Sequence, residues 1–361
     1  MKRVFHPVVV TLLVVVAILV LPAFFPEKPL QVPEDAALRH QALSHNLLPV
    51  PRRWEEAKKG VATPENPLTP AKIALGKRLF FDPRLSRDET LTCASCHILE
   101  AGGDDNRPTA IGYHGRANPR HLNSPTVLNA ALAASQFWDG RAKDVEEQAG
   151  GPVQAPFEMN MTPEEVVERL KKDPEMVAAF DRVFGEGNLT FTNVRKAIGA
   201  YERTLLTRGP LDAFLDGNDS ALSPAAKRGM TLFMNRGCKG CHTGMSVGGQ
   251  LVKRFPLRRY FEDYLGVWLS PKVQVKRDEI PFDNVGGFKG REGRYFFRVP
   301  ILRNVAETGP YFHNGAVKDL HEAVRIMSKY QLGNEFSPSE INDTVEFLKS
   351  LSGKIVDYRI E

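Results

Sequence analysis

The stretch LTPAKIALGKRLFF (residues 68–81) leads into TCASCH (92–97), and LSPAAKRGMTLFM (222–234) leads into GCKGCH (237–242). Each first segment opens with Thr or Ser before Pro, the pattern of a helix N-cap followed by its first-turn residue. Each then carries Gly-x-x-Leu-Phe, Gly76 to Phe80 in one copy and Gly229 to Phe233 in the other. Each runs on to Cys-x-x-Cys-His. Two copies of one helix-plus-motif unit set the expected fold class: mainly α, with two tandem units of the same kind.

All four cysteines lie in these motifs, as Cys93-Ala-Ser-Cys96-His97 and Cys238-Lys-Gly-Cys241-His242. Disulfides are the ordinary use of cysteine in an exported chain. A zinc ribbon would separate its two pairs by ~15–20 residues, whereas 141 residues intervene here. A thioredoxin-like redox pair does not call for a histidine after the second cysteine. Covalent attachment of a c-type haem does, because the thiols add to the two vinyl groups while the adjacent imidazole ligates the iron. Two copies that use every cysteine point to two such haems, and so to tandem cytochrome c-like domains.

The chain has 361 residues, 42% hydrophobic and 25% charged, with a net charge of +5. That is the composition of a folded globular protein, and no basic–aromatic stripe suggests a nucleic-acid partner. Lys2 and Arg3 precede PVVVTLLVVVAILVLPAFF (7–25), about the length that crosses a bilayer as a helix. Both a retained inner-membrane anchor and a cleaved export signal put the body outside the cytoplasm, in the periplasm. The expected organisation is an anchor or signal over 1–27, a proline-broken linker and wrapping arm over 28–66, and haem domains over 67–212 and 213–361. Prolines 26, 29, 33, 49, 51, 64 and 67 argue against long regular structure in the arm, where His40 and His45 are read as solvated. Further helices are expected after the capping box Thr162-Pro-Glu-Glu165, over 191–206, and after Ser337-Pro-Ser-Glu340, with Gly353 as a stop. Among eight methionines, mostly core filler by type, Met327 stands just before the closing helix, where an axial haem ligand is expected.

Five blocks carry a resemblance: TCASCH, NSPTVLNAALAASQFWDGRAKDVEEQAGGPVQAPFEMN (123–160), GCKGCHTG, FRVPILRNVAETGPYFHNGAV (297–317) and AVRIMSKYQLG (323–333). With these, residues 66–352 resemble the bacterial di-haem cytochrome c peroxidases. The wider family includes methylamine-utilisation enzymes that oxidise a partner protein and use Tyr where this chain has Met327. The resemblance implies a peroxidatic haem on Cys93, Cys96 and His97, and an electron-accepting haem on Cys238, Cys241, His242 and Met327. It implies Glu158 as acid–base, with Gln148 and Pro152 beside it, and Trp138 between the haems. It implies a Ca²⁺ held by the Asn123 side chain and the carbonyls of Thr308 and Pro310, oxygen ligands suited to that ion. Independently, splitting an O–O bond needs a group that takes a proton and returns it, and a carboxyl in the apolar run PFEM fits that need.

One departure stands in AIGYHGRANPRHLN (110–123). Many family members place a histidine here that caps the first iron in the oxidised enzyme; by position this is Tyr113, with His114 next and His121 a weaker candidate. Three readings follow: His114 caps the iron, Tyr113 faces the pocket without ligating, or the iron stays five-coordinate.

The expected function is reduction of hydrogen peroxide, with electrons from a small cytochrome c or a cupredoxin, a quinol being a further donor. The alternatives are a di-haem electron carrier and an enzyme oxidising a partner protein. A homodimer is the expected assembly. The stretch 253–298 holds 11 Lys/Arg against 6 Asp/Glu, which suits either a docking surface or a solvated loop.

Overall fold

The duplicated segment becomes two helix pairs built alike. In the computed structural model, which describes residues 30–257 and 284–360, eleven α-helices can be traced among those residues. They are α1 (Asp35–Ser44), α2 (Trp54–Val61), α3 (Pro70–Phe80), α4 (Val145–Gln154), α5 (Pro163–Lys171), α6 (Pro174–Phe184), α7 (Phe191–Glu202), α8 (Pro210–Leu215), α9 (Pro224–Asn235), α10 (Leu320–Ile326) and α11 (Pro338–Lys349). The hydrophobic stretch 7–25 and the middle of the basic stretch 253–298 lie outside the described residues. Among the described residues no helix is long and apolar enough to cross a membrane.

The caps are those the sequence advertised. Thr69 accepts from Lys72 N at the start of α3, and Ser223 from Ala226 N at the start of α9. Reciprocal capping boxes close on Thr162 and Glu165 ahead of α5 and on Ser337 and Glu340 ahead of α11.

α3 packs on α7, and α9 on α11. The conserved feature of the internal repeat is the close approach at its glycine. A Cβ at Gly76 would lie 1.8 Å from the Ala197 carbonyl oxygen, and one at Gly229 would lie 1.8 Å from that of Asp343. Neither position tolerates a side chain without separating the helices. Around α3 and α7 lies a core of Leu75, Leu79, Phe80, Leu128, Val153, Val166, Leu170, Met176, Phe180 and Val194. In the second pair Phe233 meets Phe347 at 5.1 Å between ring centroids.

Strands are short, as their weak signals in sequence imply. β1 (Thr207–Arg208) pairs antiparallel with β4 (Lys354–Ile355), joining the end of the first half to the end of the chain. β2 (Val252–Arg254) pairs antiparallel with β3 (Phe296–Arg298). Gly353 does not stop α11, which ends at Lys349. It lies where the chain crosses β1, and a Cβ there would meet the Arg208 carbonyl oxygen at 2.2 Å.

The arm departs from the expected loop. Its prolines flank α1 and α2 instead of interrupting them: Pro33 and Pro49 bracket α1, and Pro51 and Pro64 bracket α2. Leu38, Ala42, Leu47, Val50, Trp54 and Val61 are buried, and Trp54 packs on Tyr358 at 5.4 Å. His45 is half-buried, with Lys239 Nζ 2.8 Å from its Nε2, while His40 is exposed.

Two arginines hold the arm down. Arg303, fully buried, makes two 2.8 Å bonds to Asp212 and a third to the Leu48 carbonyl. Arg203 meets both oxygens of Glu146 at 2.7 and 2.6 Å and donates to the Val61 carbonyl.

The glycine contacts set a direct test. Gly76→Ala and Gly229→Ala each force a methyl against backbone, so each should lower stability by about 1–3 kcal/mol. Thermal unfolding of the two variants, compared with a neutral surface substitution, measures this.

Candidate functional site: two thiol–imidazole cavities with a shared wall

Each motif folds into a single 3₁₀ turn, Cys93–Ser95 and Cys238–Gly240. His97 N donates to the Cys93 carbonyl and His242 N to that of Cys238, both at 3.0 Å. Such a turn brings two side chains three apart and the next imidazole to one side of the chain. Cys93, Cys96 and His97 line one cavity; Cys238, Cys241 and His242 line another. All four thiols are free, so they form no disulfide, and the pairs serve separate cavities, so they form no four-thiolate site. Among the described residues no cluster of three or more His, Cys, Asp or Glu could hold a metal ion.

His97 Nδ1 lies 3.2 Å from the Gly103 carbonyl. Donation there fixes the tautomer and leaves Nε2 free to ligate a metal. Burial lowers the pKa of both imidazoles, that of His242 to about 4. Burial thus favours the neutral imidazole, the form able to ligate a metal, at both positions.

The first cavity is walled by α4, capped by Asp144 accepting from Glu147 N. Its i, i+4 spacing puts Val145, Ala149 and Val153 on the cavity with Gln148 and Pro152. The chain then doubles back: Glu158 N bonds to the Ala155 carbonyl and Met159 N to that of Pro152, which returns Glu158 to the same cavity. Burial raises the Glu158 carboxyl above its usual range, against the opposing pull of Arg141 and Arg120.

The loop 110–123 rests directly on this turn. A Cβ at Gly112 would stand 2.0 Å from the Phe157 carbonyl oxygen, and Tyr113 N donates to the Glu158 carbonyl at 2.8 Å. From the same loop the buried Asn118 donates to Glu158 Oε1 at 3.3 Å. His114 is exposed at φ 58°, with its ring tilted against that of Tyr113 at 3.9 Å between centroids. Neither residue lines the cavity, and neither does His121. The geometry thus does not bring the expected cap to the first site, because Gly112 pins the loop by its backbone and the two rings lie outside the lining.

Met327 lines the second cavity together with His242, Phe233 and Leu348. It opens a π-helical stretch, Met327–Leu332, that continues α10. Such wide turns are frequent at functional sites because they re-aim side chains inside a helix. His313 is also on this cavity, 4.6 Å from the Phe297 ring and 6.3 Å from that of Trp138.

Asn123, Ser124, Pro125, Thr126, Trp138 and Arg298 border both cavities. Trp138 Nε1 donates to the Asn123 carbonyl at 2.8 Å, which holds the indole in this wall. The Asn123 amide reaches the Pro310 carbonyl at 2.5 Å, while its Oδ1 is buried without a partner. Thr308 and Pro310 lie beside it on the second cavity.

The structure thus holds two cavities, each with a thiol pair and a neutral imidazole, joined by a shared wall. The family model described as di-haem cytochrome c peroxidase matches residues 70–220. Cytochrome c551 peroxidase of Pseudomonas aeruginosa is 42% identical over 87% of this chain and 86% of its own length. The chain belongs to the di-haem cytochrome c peroxidase family. Cytochrome c551 peroxidase of Nitrosomonas europaea is 37% identical over 84% of this chain and 89% of its own. Among solved structures, a MauG-like protein associated with microbial copper homeostasis superposes with a TM-score of 0.66 at 26% identity, over 81% of this chain and 92% of that one. Membership makes the protein a peroxidase-class oxidoreductase, and it implies two c-type haems. The residues fit them, since each cavity offers two free thiols and an imidazole with a lone pair available.

Two carboxyls went unnoticed in the sequence. Asp104 is 1% exposed, borders the second cavity, and is pushed up to about 7 by burial. Glu202, in GAYERT at the end of α7, is 4% exposed and borders the first cavity. Burial, with Glu146 nearby, raises Glu202 to about 8 from its ordinary 4.5. Below pH about 4.5 it is neutral whether folded or unfolded. Between about 4.5 and about 8 the unfolded chain releases a proton that the folded one keeps, so stability falls as pH rises. Glu202→Gln should flatten that fall, and unfolding midpoints at pH 5 and pH 8 in both proteins check it.

Proposed function

We propose that the protein reduces hydrogen peroxide to water outside the cytoplasm, with electrons from a small c-type cytochrome or a cupredoxin. The single observation that carries this reading is the convergence of Glu158, Gln148 and Pro152 on the cavity of the first thiol pair. An electron carrier has no use for a protonatable carboxyl there. Haems attached through Cys93 and Cys96, with His97 as ligand, and through Cys238 and Cys241, with His242 and Met327, would supply the redox chemistry.

The chain's own part is proton handling and positioning. A Glu158 carboxylate takes a proton from the nearer peroxide oxygen and returns it to the leaving one. Burial supports this double duty by drawing its pKa towards neutrality. Asn118, bonded to Oε1, orients the carboxyl. Gln148 offers an amide to the same space. Trp138, in the wall common to both cavities, is the bridge between the electron-accepting and peroxidatic sides. Met327 rather than Tyr on the second cavity favours peroxide turnover over oxidation of a partner protein.

Calcium fits the wall. Asn123 Oδ1 is a buried oxygen without a partner, next to the Pro310 carbonyl, and turning the amide would aim it at an ion shared with the Thr308 and Pro310 carbonyls.

With His114 and Tyr113 both off the cavity, we take the first iron to lack a protein cap. The fully oxidised protein should then show a high-spin ferric EPR signal, and His114→Ala should leave turnover unchanged; a spectrum with two low-spin signals overturns this. Steady-state peroxide turnover with a reduced cytochrome c tests the acid–base role. Glu158→Gln should lose about 10²-fold or more in kcat, and retention of full activity would sink the assignment.

A further inference from the structure

The wall between the cavities carries a cation that no group among the described residues neutralises. Arg298, at the end of β3, is 4% exposed and borders both cavities. Its Nε donates to the Phe137 carbonyl at 3.2 Å, and its backbone N–H to the Trp138 carbonyl at 2.7 Å. These bonds hold the guanidinium in the wall that also carries the indole. Its Nη1 is buried and has no hydrogen-bond partner.

The other buried arginines show what is missing. Arg203 has both oxygens of Glu146, and Arg303 has both oxygens of Asp212. Among the described residues Arg298 has no acidic neighbour, and burial lowers its pKa to about 10. Burying a guanidinium without an anion is strongly unfavourable, and such a group persists where a ligand supplies the charge. The ligand that would supply it is an anion able to reach a buried wall between the two thiol–imidazole cavities.

We propose that Arg298 binds a propionate carboxylate of one of the two haems, donating Nη1 to it in the wall shared by the cavities. The inference rests on the placement of one haem in each cavity. It makes Arg298 a positioning residue: the guanidinium fixes a porphyrin edge beside Trp138 and adds a positive charge next to a redox centre. That charge disfavours the ferric form, which carries one more positive charge than the ferrous form.

The experiment uses the full di-haem protein with Arg298→Gln and Arg298→Lys. The covalent haem content is measured first, because fewer than two haems per chain in the parent would refute the two-haem reading rather than the role of Arg298. Potentiometric titration then resolves the two haems. The expected result is a fall in the midpoint potential of at least one haem in Arg298→Gln, largely restored in Arg298→Lys. The propionate-bending band in resonance Raman spectra should also shift. Two retained haems with both potentials and the propionate band unchanged in Arg298→Gln overturn the proposal, and would point to a small anion or water at Nη1. If Arg298→Gln does not retain its haems, Arg298→Met carries the test, and two retained haems with an unshifted propionate band in it have the same force.

Discussion

Two thiols and an imidazole within five residues can face one ligand only if the chain turns tightly and the space before them stays open. Much of the architecture answers to that constraint. Each turn follows a helix anchored at its far end by a Thr or Ser cap and pressed at its glycine against a second helix. The pressure comes from backbone on backbone, so the position of each turn does not depend on side-chain packing alone. The remaining segments then wall the open space: α4 and the turn to Glu158 on one side of the molecule, α10 and its π-helical extension on the other.

The two cavities are not independent. Six residues border both, and bonds within that wall run from one half to the other, Asn123 to Pro310 and Arg298 to Phe137 and Trp138, while Trp138 to Asn123 ties the wall within the first half. A wall made of backbone carbonyls, an indole and a guanidinium is polar yet largely buried. Groups in it interact electrostatically more strongly than they would in water.

Much of this was legible in the sequence because the signals are local. Thr-Pro and Ser-Pro caps, capping boxes and the spacing within each cysteine motif are properties of a few consecutive residues. Glycines 76 and 229 were visible as a repeat, though their reason, a helix crossing more than a hundred residues away, was not. The arm was misread because prolines mark the ends of short helices as readily as they exclude long ones. Asn118 and Glu202 were missed since each looks like an ordinary loop or helix residue until distant chain closes over it. His114 was suggested by counting along a loop. In the fold, Gly112 sets the loop's backbone down on Phe157, and neither ring is among the residues that line the cavity.

Arg203 joins three parts of the chain through one guanidinium. It sits just beyond α7, grips Glu146 in the first turn of α4, and donates to the Val61 carbonyl at the end of α2. Asn66 extends the same cluster, bonded to Glu146 and to Lys72 of α3. The arm is therefore more than a tether leading to the body. It supplies a backbone acceptor to the ion pair that seats the helix carrying Gln148. Losing the arm would strand donors in a dry interior and loosen the wall nearest the chemistry. The boundary of the working unit thus lies upstream of the first cysteine motif, at α1 and α2.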